Sequence, residues 1–136
     1  MSDSVLKRYM TPQAAREEPV PVADDDAEDD LGSFGWLRGI RDRAIMLELR
    51  RKDGGSTAFD YGWLRKVEYN PSEGITLDFG SEIVRIVGRN LDREVRPNVR
   101  LLRGLHARRV PWIQEAPDAQ RLKAPGDATV IEGFTM

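Results

Sequence analysis

The sequence predicts a mainly β fold of the α+β kind: a small antiparallel barrel or roll of about five strands, with one amphipathic helix in the C-terminal half and a disordered N-terminal leader. Three observations carry this expectation. Apolar residues alternate with period two in several short segments after residue 44, turn residues separate those segments, and residues 11–30 are acidic, proline-bearing and poor in large apolar side chains.

The leader is the first element. Residues 1–32 hold nine acids (Asp3, Glu17, Glu18, Asp24, Asp25, Asp26, Glu28, Asp29 and Asp30) against Lys7, Arg8 and Arg16. The segment from Thr11 to Asp30, with Pro12, Pro19 and Pro21, offers too little apolar surface to offset the entropy of ordering it. Residues 1–32 are therefore read as a leader and 33–136 as one globular domain. Within the leader, Val5, Leu6, Tyr9 and Met10 stand at i, i+1, i+4 and i+5, the spacing of a short partner-binding motif at 4–10. So short a helix does not hold alone.

The domain begins near Phe34 with the aromatic cluster FGWLRGI. Ile45, Leu47 and Leu49 alternate with Met46, Glu48 and Arg50, as a half-buried strand requires. Lys52-Asp53-Gly54-Gly55 follows as a hairpin turn, since Asp-Gly and Gly-Gly accept positive φ. A second strand runs through Thr57, Phe59 and Tyr61 with Gly62 as a bulge or bend, and Trp63–Tyr69 reads as a third. Asn70-Pro71-Ser72-Glu73-Gly74 is a turn. Ile75, Leu77 and Phe79 then alternate with Thr76 and Asp78, and Ile83–Val87 returns as the hairpin partner. Leu47, Leu77, Phe79 and Ile86 are the expected core.

Pro97 suits the first turn of a helix, and at about 100° per residue Leu101, Leu102 and Leu105 gather on one side while Arg100 and Arg103 lie on the other. The helix frays before Pro111. Trp112-Ile113 reads as a further edge element, Glu115–Asp127 as a polar stretch and Thr129–Phe134 as a last strand.

Charge points to function more than any catalytic motif does. The net charge of −2 conceals a leader of −6 and a domain of +4. From Ile83 to Val110 eight arginines face only Asp92 and Glu94. Arg85, Arg89, Arg93, Arg96, Arg100, Arg103 and Arg108 are the candidate anion-binding residues, because a guanidinium matches phosphate oxygens and gains from counterion release. Their period-two and then three-to-four spacing can join a strand face to a helix face in one stripe, which the acidic leader can engage or mask. The competing reading is arginines on a solvated face, paired to Glu48, Glu68, Asp78 or Glu94.

Chemistry of other kinds has little to stand on. There is no cysteine, which excludes disulfides and thiolate catalysis and fits a reducing, cytoplasmic setting. The single histidine, His106, excludes multi-histidine metal sites, and is read as a helix residue at the core margin. No nucleotide-binding glycine motif occurs. Asp42, Glu48 and Arg50 offer a loose metal-dependent nuclease pattern, and Asp78 and Glu82 are no better placed. No apolar run is long enough for a membrane span or a secretion signal. The expectation is a non-enzymatic binding module with no cofactor, whose partner is nucleic acid or an acidic protein. The alternative is a protein–protein adaptor or complex subunit, held through the N-terminal motif and edge strands.

The block Gly62-Trp63-Leu64-Arg65-Lys66-Val67-Glu68 with Ile75-Thr76-Leu77 resembles the first motif of the Sm-like RNA-binding proteins, and Val84-Arg85-Ile86-Val87-Gly88-Arg89-Asn90-Leu91 is similar to the second, where a strand ends in a glycine-centred turn. The resemblance implies a five-stranded barrel, ring oligomers and RNA bound near Asn70 and around Gly88–Asn90. The chain departs from the pattern in carrying Glu68 at the family's aspartate. It also inserts Pro71-Ser72-Glu73 and replaces the leading helix by FGWLRGI.

Overall fold

Alternation of apolar residues over four to seven positions produces strands wherever turn residues allow the chain to reverse, and β structure dominates the computed structural model, which describes residues 28–39 and 41–136. In chain order the strands are β1 (Glu28–Asp30), β2 (Gly35–Leu37), β3 (Met46–Arg50), β4 (Ser56–Asp60), β5 (Lys66–Asn70), β6 (Gly74–Asp78), β7 (Ile83–Arg89), β8 (Glu94–Arg96), β9 (Val99–Arg100), β10 (Trp112–Gln114) and β11 (Val130–Thr135). Two short helices, α1 (Leu101–His106) and α2 (Asp118–Lys123), and a 3-10 turn at Tyr61–Trp63 complete the described elements. The strands form open sheets in the orders β1-β2, β10-β3-β4, β11-β7-β6-β5 and β8-β9.

The expected hairpins are present. β3 and β4 pair antiparallel with Leu47 opposite Phe59 and Leu49 opposite Thr57, so the buried leucines share one face. Their turn closes with Arg51 N–H donating to the Gly55 carbonyl at 2.8 Å while Gly54 takes φ +96°. β5, β6 and β7 form a meander with Tyr69 opposite Ile75 and Ile75 opposite Ile86. At its first turn the Asn70 side chain accepts from the Ser72 N–H at 2.9 Å, and Gly74 sits so close to β7 that a β-carbon there would run into the Ile86 carbonyl. β11 pairs with β7 across a bulge between Ile131 and Gly133. Leu47, Leu77, Phe79 and Ile86 are all buried, in one cluster with Phe34, Leu49, Tyr61, Leu101, Leu105, Ile113 and Ile131.

Several expectations need correction. Ile45 is 78% exposed, because β3 and its pairing begin at Met46. Of the bulge or bend expected at Gly62, the bend is present, as a 3-10 turn capped by the Asp60 carboxylate. β10 runs parallel to β3, so the three-stranded sheet is mixed. The polar stretch 115–127 contains α2. Pro97 starts no helix: Pro97-Asn98 turns the β8–β9 hairpin, with Asn98 at φ +66°. Asparagine tolerates that conformation, and the Glu94 carboxylate accepts its N–H at 2.6 Å. The helix that remains, α1, has six residues and depends on burial of Leu101 and Leu105.

The boundary expected at residue 33 also moves. Glu28–Asp30, assigned to the leader, is a strand paired with Gly35–Leu37. Asp29 bridges Arg38 at 3.0 Å and also Arg96, and the Glu28 carboxylate accepts from the Trp112 indole N–H. The motif residues Val5, Leu6, Tyr9 and Met10 lie outside the described residues. Among those described, no helix is long and apolar enough to cross a membrane.

Candidate anion-binding groove

α1 ends in a way that sets the site. The Arg109 N–H donates to the Gly104 carbonyl at 2.8 Å and the Arg108 N–H to the Leu105 carbonyl, the paired bonds of a Schellman cap. The residue between must be left-handed, and here it is Arg108 at φ +58°, where glycine is the usual occupant. Gly104 lets the helix settle on Trp36 and Val110, against both of which a β-carbon would clash. The outward positions of α1 go to Arg103 and His106, both exposed. His106 is thus a surface residue, not one at the core margin.

α1 packs near β5. Between them lies a hollow of about 290 Å3 lined by Tyr61, Leu64, Arg65, Lys66, Val67, Leu105, His106 and Arg108. It holds three arginine or lysine side chains and no carboxylate. Tyr61 anchors its inner wall: the side chain is fully buried and its hydroxyl donates to the Val110 carbonyl at 2.6 Å. Burial pushes the phenol well above its ordinary pKa, and the Arg108 charge offsets part of that rise.

Two further hollows continue the surface. His106 also lines one of about 450 Å3 with Asp92, Glu94, Asn98, Arg100, Leu102 and Arg103. Asp92, Glu94 and Arg100 in turn line one of about 540 Å3 with Tyr69, Asn90 and Arg93. The first two hollows share His106 and the last two share Asp92, Glu94 and Arg100, so the three adjoin; the surface they make up, here called the groove, carries Arg93, Arg100, Arg103, Arg108, Arg65 and Lys66. Some of its cations have a carboxylate partner and others have none among the described residues. Arg93 lies 3.5 Å from Asp127, Arg100 4.0 Å from Asp92 and Lys66 3.7 Å from Glu68. Arg65, Arg103 and Arg108 have no carboxylate within 4.0 Å among the described residues.

The seven arginines singled out from the sequence therefore divide. Arg93, Arg100, Arg103 and Arg108 line the groove. Arg85 pairs with Glu73 at 3.6 Å, Arg89 with Glu132 at 3.8 Å and Arg96 with Asp29, and none of these three lines it. The division follows the partners: Glu73, Glu132 and Asp29 stand beside Arg85, Arg89 and Arg96, and the other four arginines line the hollows. Sequence reasoning missed Arg65, Lys66, Tyr69, Asn98 and the outward turn of His106. Arg65-Lys66 was a visible basic pair, yet nothing local placed it beside a helix 35 residues later.

The positions implied by the Sm-like resemblance have internal duties. Asn70 holds its own turn, and Gly88 lies within β7, so close to β11 that a β-carbon would meet the Val130 carbonyl. Asn90, at φ +57°, donates to the carbonyls of Gly126 at 3.0 Å and Ala128 at 2.7 Å. Arg50 bonds Glu48 at 2.9 Å and stacks 4.3 Å above the Trp112 ring, which ties up two of the three residues of the nuclease pattern. Among the described residues no three histidine or acidic side chains converge to hold a metal ion.

No family model matches the chain, and neither a curated protein nor a solved structure matches it significantly.

Proposed function

We propose that this chain is a non-enzymatic binding module that holds an anionic polymer, nucleic acid in the first instance, along the groove between β5, α1 and the β8–β9 hairpin. One observation carries the reading: the hollow between β5 and α1 gathers Arg65, Lys66 and Arg108 from separate parts of the chain, beside His106, with no carboxylate in its lining. Of these, Lys66 lies 3.7 Å from Glu68, whereas Arg65 and Arg108 meet no carboxylate within 4.0 Å among the described residues, and like charges brought together in this way favour an anion.

The partners follow from the chemistry. Guanidinium groups take phosphate oxygens in pairs, and their release of counterions makes affinity fall steeply with salt. Tyr69, 37% exposed at the other end, offers a ring on which an unpaired base can stack, which favours a single strand over a duplex. Asp92 and Glu94 hold the hairpin that frames the groove and repel phosphate locally, so the tightest contacts fall at the Arg65–Arg108 end. We further propose that the two larger sheets, which share one core cluster, work as a single roll presenting this groove.

Binding of a labelled single-stranded oligonucleotide to the full chain, followed by fluorescence anisotropy at low salt, tests the reading. Arg65→Ala and Arg103→Ala should each weaken binding about 5-fold on any base sequence, roughly 1 kcal/mol. Unchanged affinity in both variants, or no binding at all, would remove it. The adaptor reading then takes precedence, and an exposed aromatic hollow at Trp63 favours it.

A further inference from the structure

The fold leaves one tryptophan in the open. Trp36 and Trp112 are buried at 8% and 4% exposure, whereas Trp63 is 66% exposed. It stands in the 3-10 turn beside a hollow of about 240 Å3, shared with Phe59, Asp60, Phe79, Ser81 and Glu82. The Phe59 and Phe79 rings stack with centroids 4.6 Å apart and give the hollow an apolar floor. Neighbouring Ile83 is itself 55% exposed. None of these residues lines the arginine groove.

Size and charge restrict the occupant. The volume falls below the roughly 300–1,000 Å3 of small-molecule sites and suits an apolar side chain or two from a peptide. Asp60 and Glu82 on the rim form no ion pair with any described residue. The Asp60 carboxylate accepts the Gly62 N–H at 2.7 Å and is exposed to solvent. An occupant that brings apolar side chains together with cations therefore fits best.

The chain contains such a segment. In Val5-Leu6-Lys7-Arg8-Tyr9-Met10 two apolar pairs flank adjacent cations, within a leader that is otherwise acidic. We propose that residues 5–10 dock in the Trp63 hollow of their own chain, with apolar side chains against Trp63, Phe59 and Phe79 and with Lys7 and Arg8 against Asp60 and Glu82. Distance is no obstacle. The 17 residues between Met10 and Glu28 reach up to roughly 60 Å when extended, against a radius of gyration of about 13 Å for a domain of this size. Tethering supplies an effective concentration on the order of millimolar, so a weak contact suffices. The proposal stands independently of nucleic-acid binding.

Acrylamide quenching of tryptophan fluorescence in the full chain reads this contact directly, because the two buried tryptophans respond little. Trp63→Phe sets the baseline. Docking predicts wild-type quenching near that baseline, and at least a twofold larger quenching constant in L6D/Y9D and in K7E/R8E. Strong wild-type quenching that neither double variant changes would overturn the proposal. So would protection that survives both variants, which indicates another occupant, or protection lost on dilution, which indicates a second copy of the chain.

Discussion

Tyr61→Phe removes one oxygen from the interior and should be costly for a reason the geometry makes specific. The hydroxyl donates to the Val110 carbonyl at 2.6 Å in a fully buried setting, joining the 3-10 turn after β4 to the segment that follows α1. Phenylalanine fills the same space and leaves that carbonyl without the bond, at a cost of about 1–3 kcal/mol near neutral pH. Alkali provides a second, independent signature. Burial raises the phenol's pKa in the folded chain above its ordinary 10.0, so folded and unfolded states are equally protonated below pH 10 and the full stabilisation is present there. As pH rises past 10 the unfolded phenol ionises while the folded one does not, and stability is lost. By pH 11 the wild type should forfeit about 1.4 kcal/mol that Tyr61→Phe does not. Urea unfolding of both proteins at pH 8 and pH 11 measures the gap at each pH. A gap below about 0.5 kcal/mol at pH 8, or one that fails to narrow at pH 11, would refute this account of the Tyr61–Val110 bond.

Other substitutions probe the strained and crowded positions. Arg108→Gly relieves a left-handed residue, worth about 1–2 kcal/mol, against a glycine entropy cost of about 0.5–1. The urea midpoint should therefore rise while oligonucleotide affinity falls; a fall in both would mean the cap needs the arginine. Gly88→Ala drives a β-carbon into the Val130 carbonyl and should lower stability by more than about 2 kcal/mol in thermal melts, whereas Gly126→Ala, with open space around it, should change stability by less than about 0.5. Leu77→Ala should cost about 2–5 kcal/mol, since its site is fully buried in the meander.

The strands were legible where two local signals agreed. Residues 45–49 and 75–79 combine period-two apolar residues with Asp-Gly or Asn-Pro turns, and their inward residues Leu47, Leu77 and Phe79 are buried as expected. Ile45 failed because alternation says nothing about where pairing starts. Pro97 reads as a helix start, although proline serves a turn equally well. The neighbouring Asn98, tolerant of positive φ, was the clue that decides for a turn. The arginines were visible as a cluster, but sorting them required long-range partners: Asp29 lies far along the chain from Arg96, and Arg65 meets α1 only through the packing of β5. Residues 28–30 read as leader because their composition is acidic, yet their pairing with Gly35–Leu37 and their bonds to Arg38, Arg96 and Trp112 place them in the fold.

A salt titration of oligonucleotide binding on two charge-matched triple variants tests the groove most directly. Log affinity should fall linearly with log salt, with a slope of about −0.7 for each phosphate neutralised on a single strand. Replacing Arg65, Arg103 and Arg108 with alanine should make that slope shallower by about 2. Replacing Arg85, Arg89 and Arg96, which pair with Glu73, Glu132 and Asp29, should leave it within about 0.5 of wild type. Equal loss of slope in the two triples would reduce the effect to net charge, and a larger loss in the second would move the binding surface away from the groove.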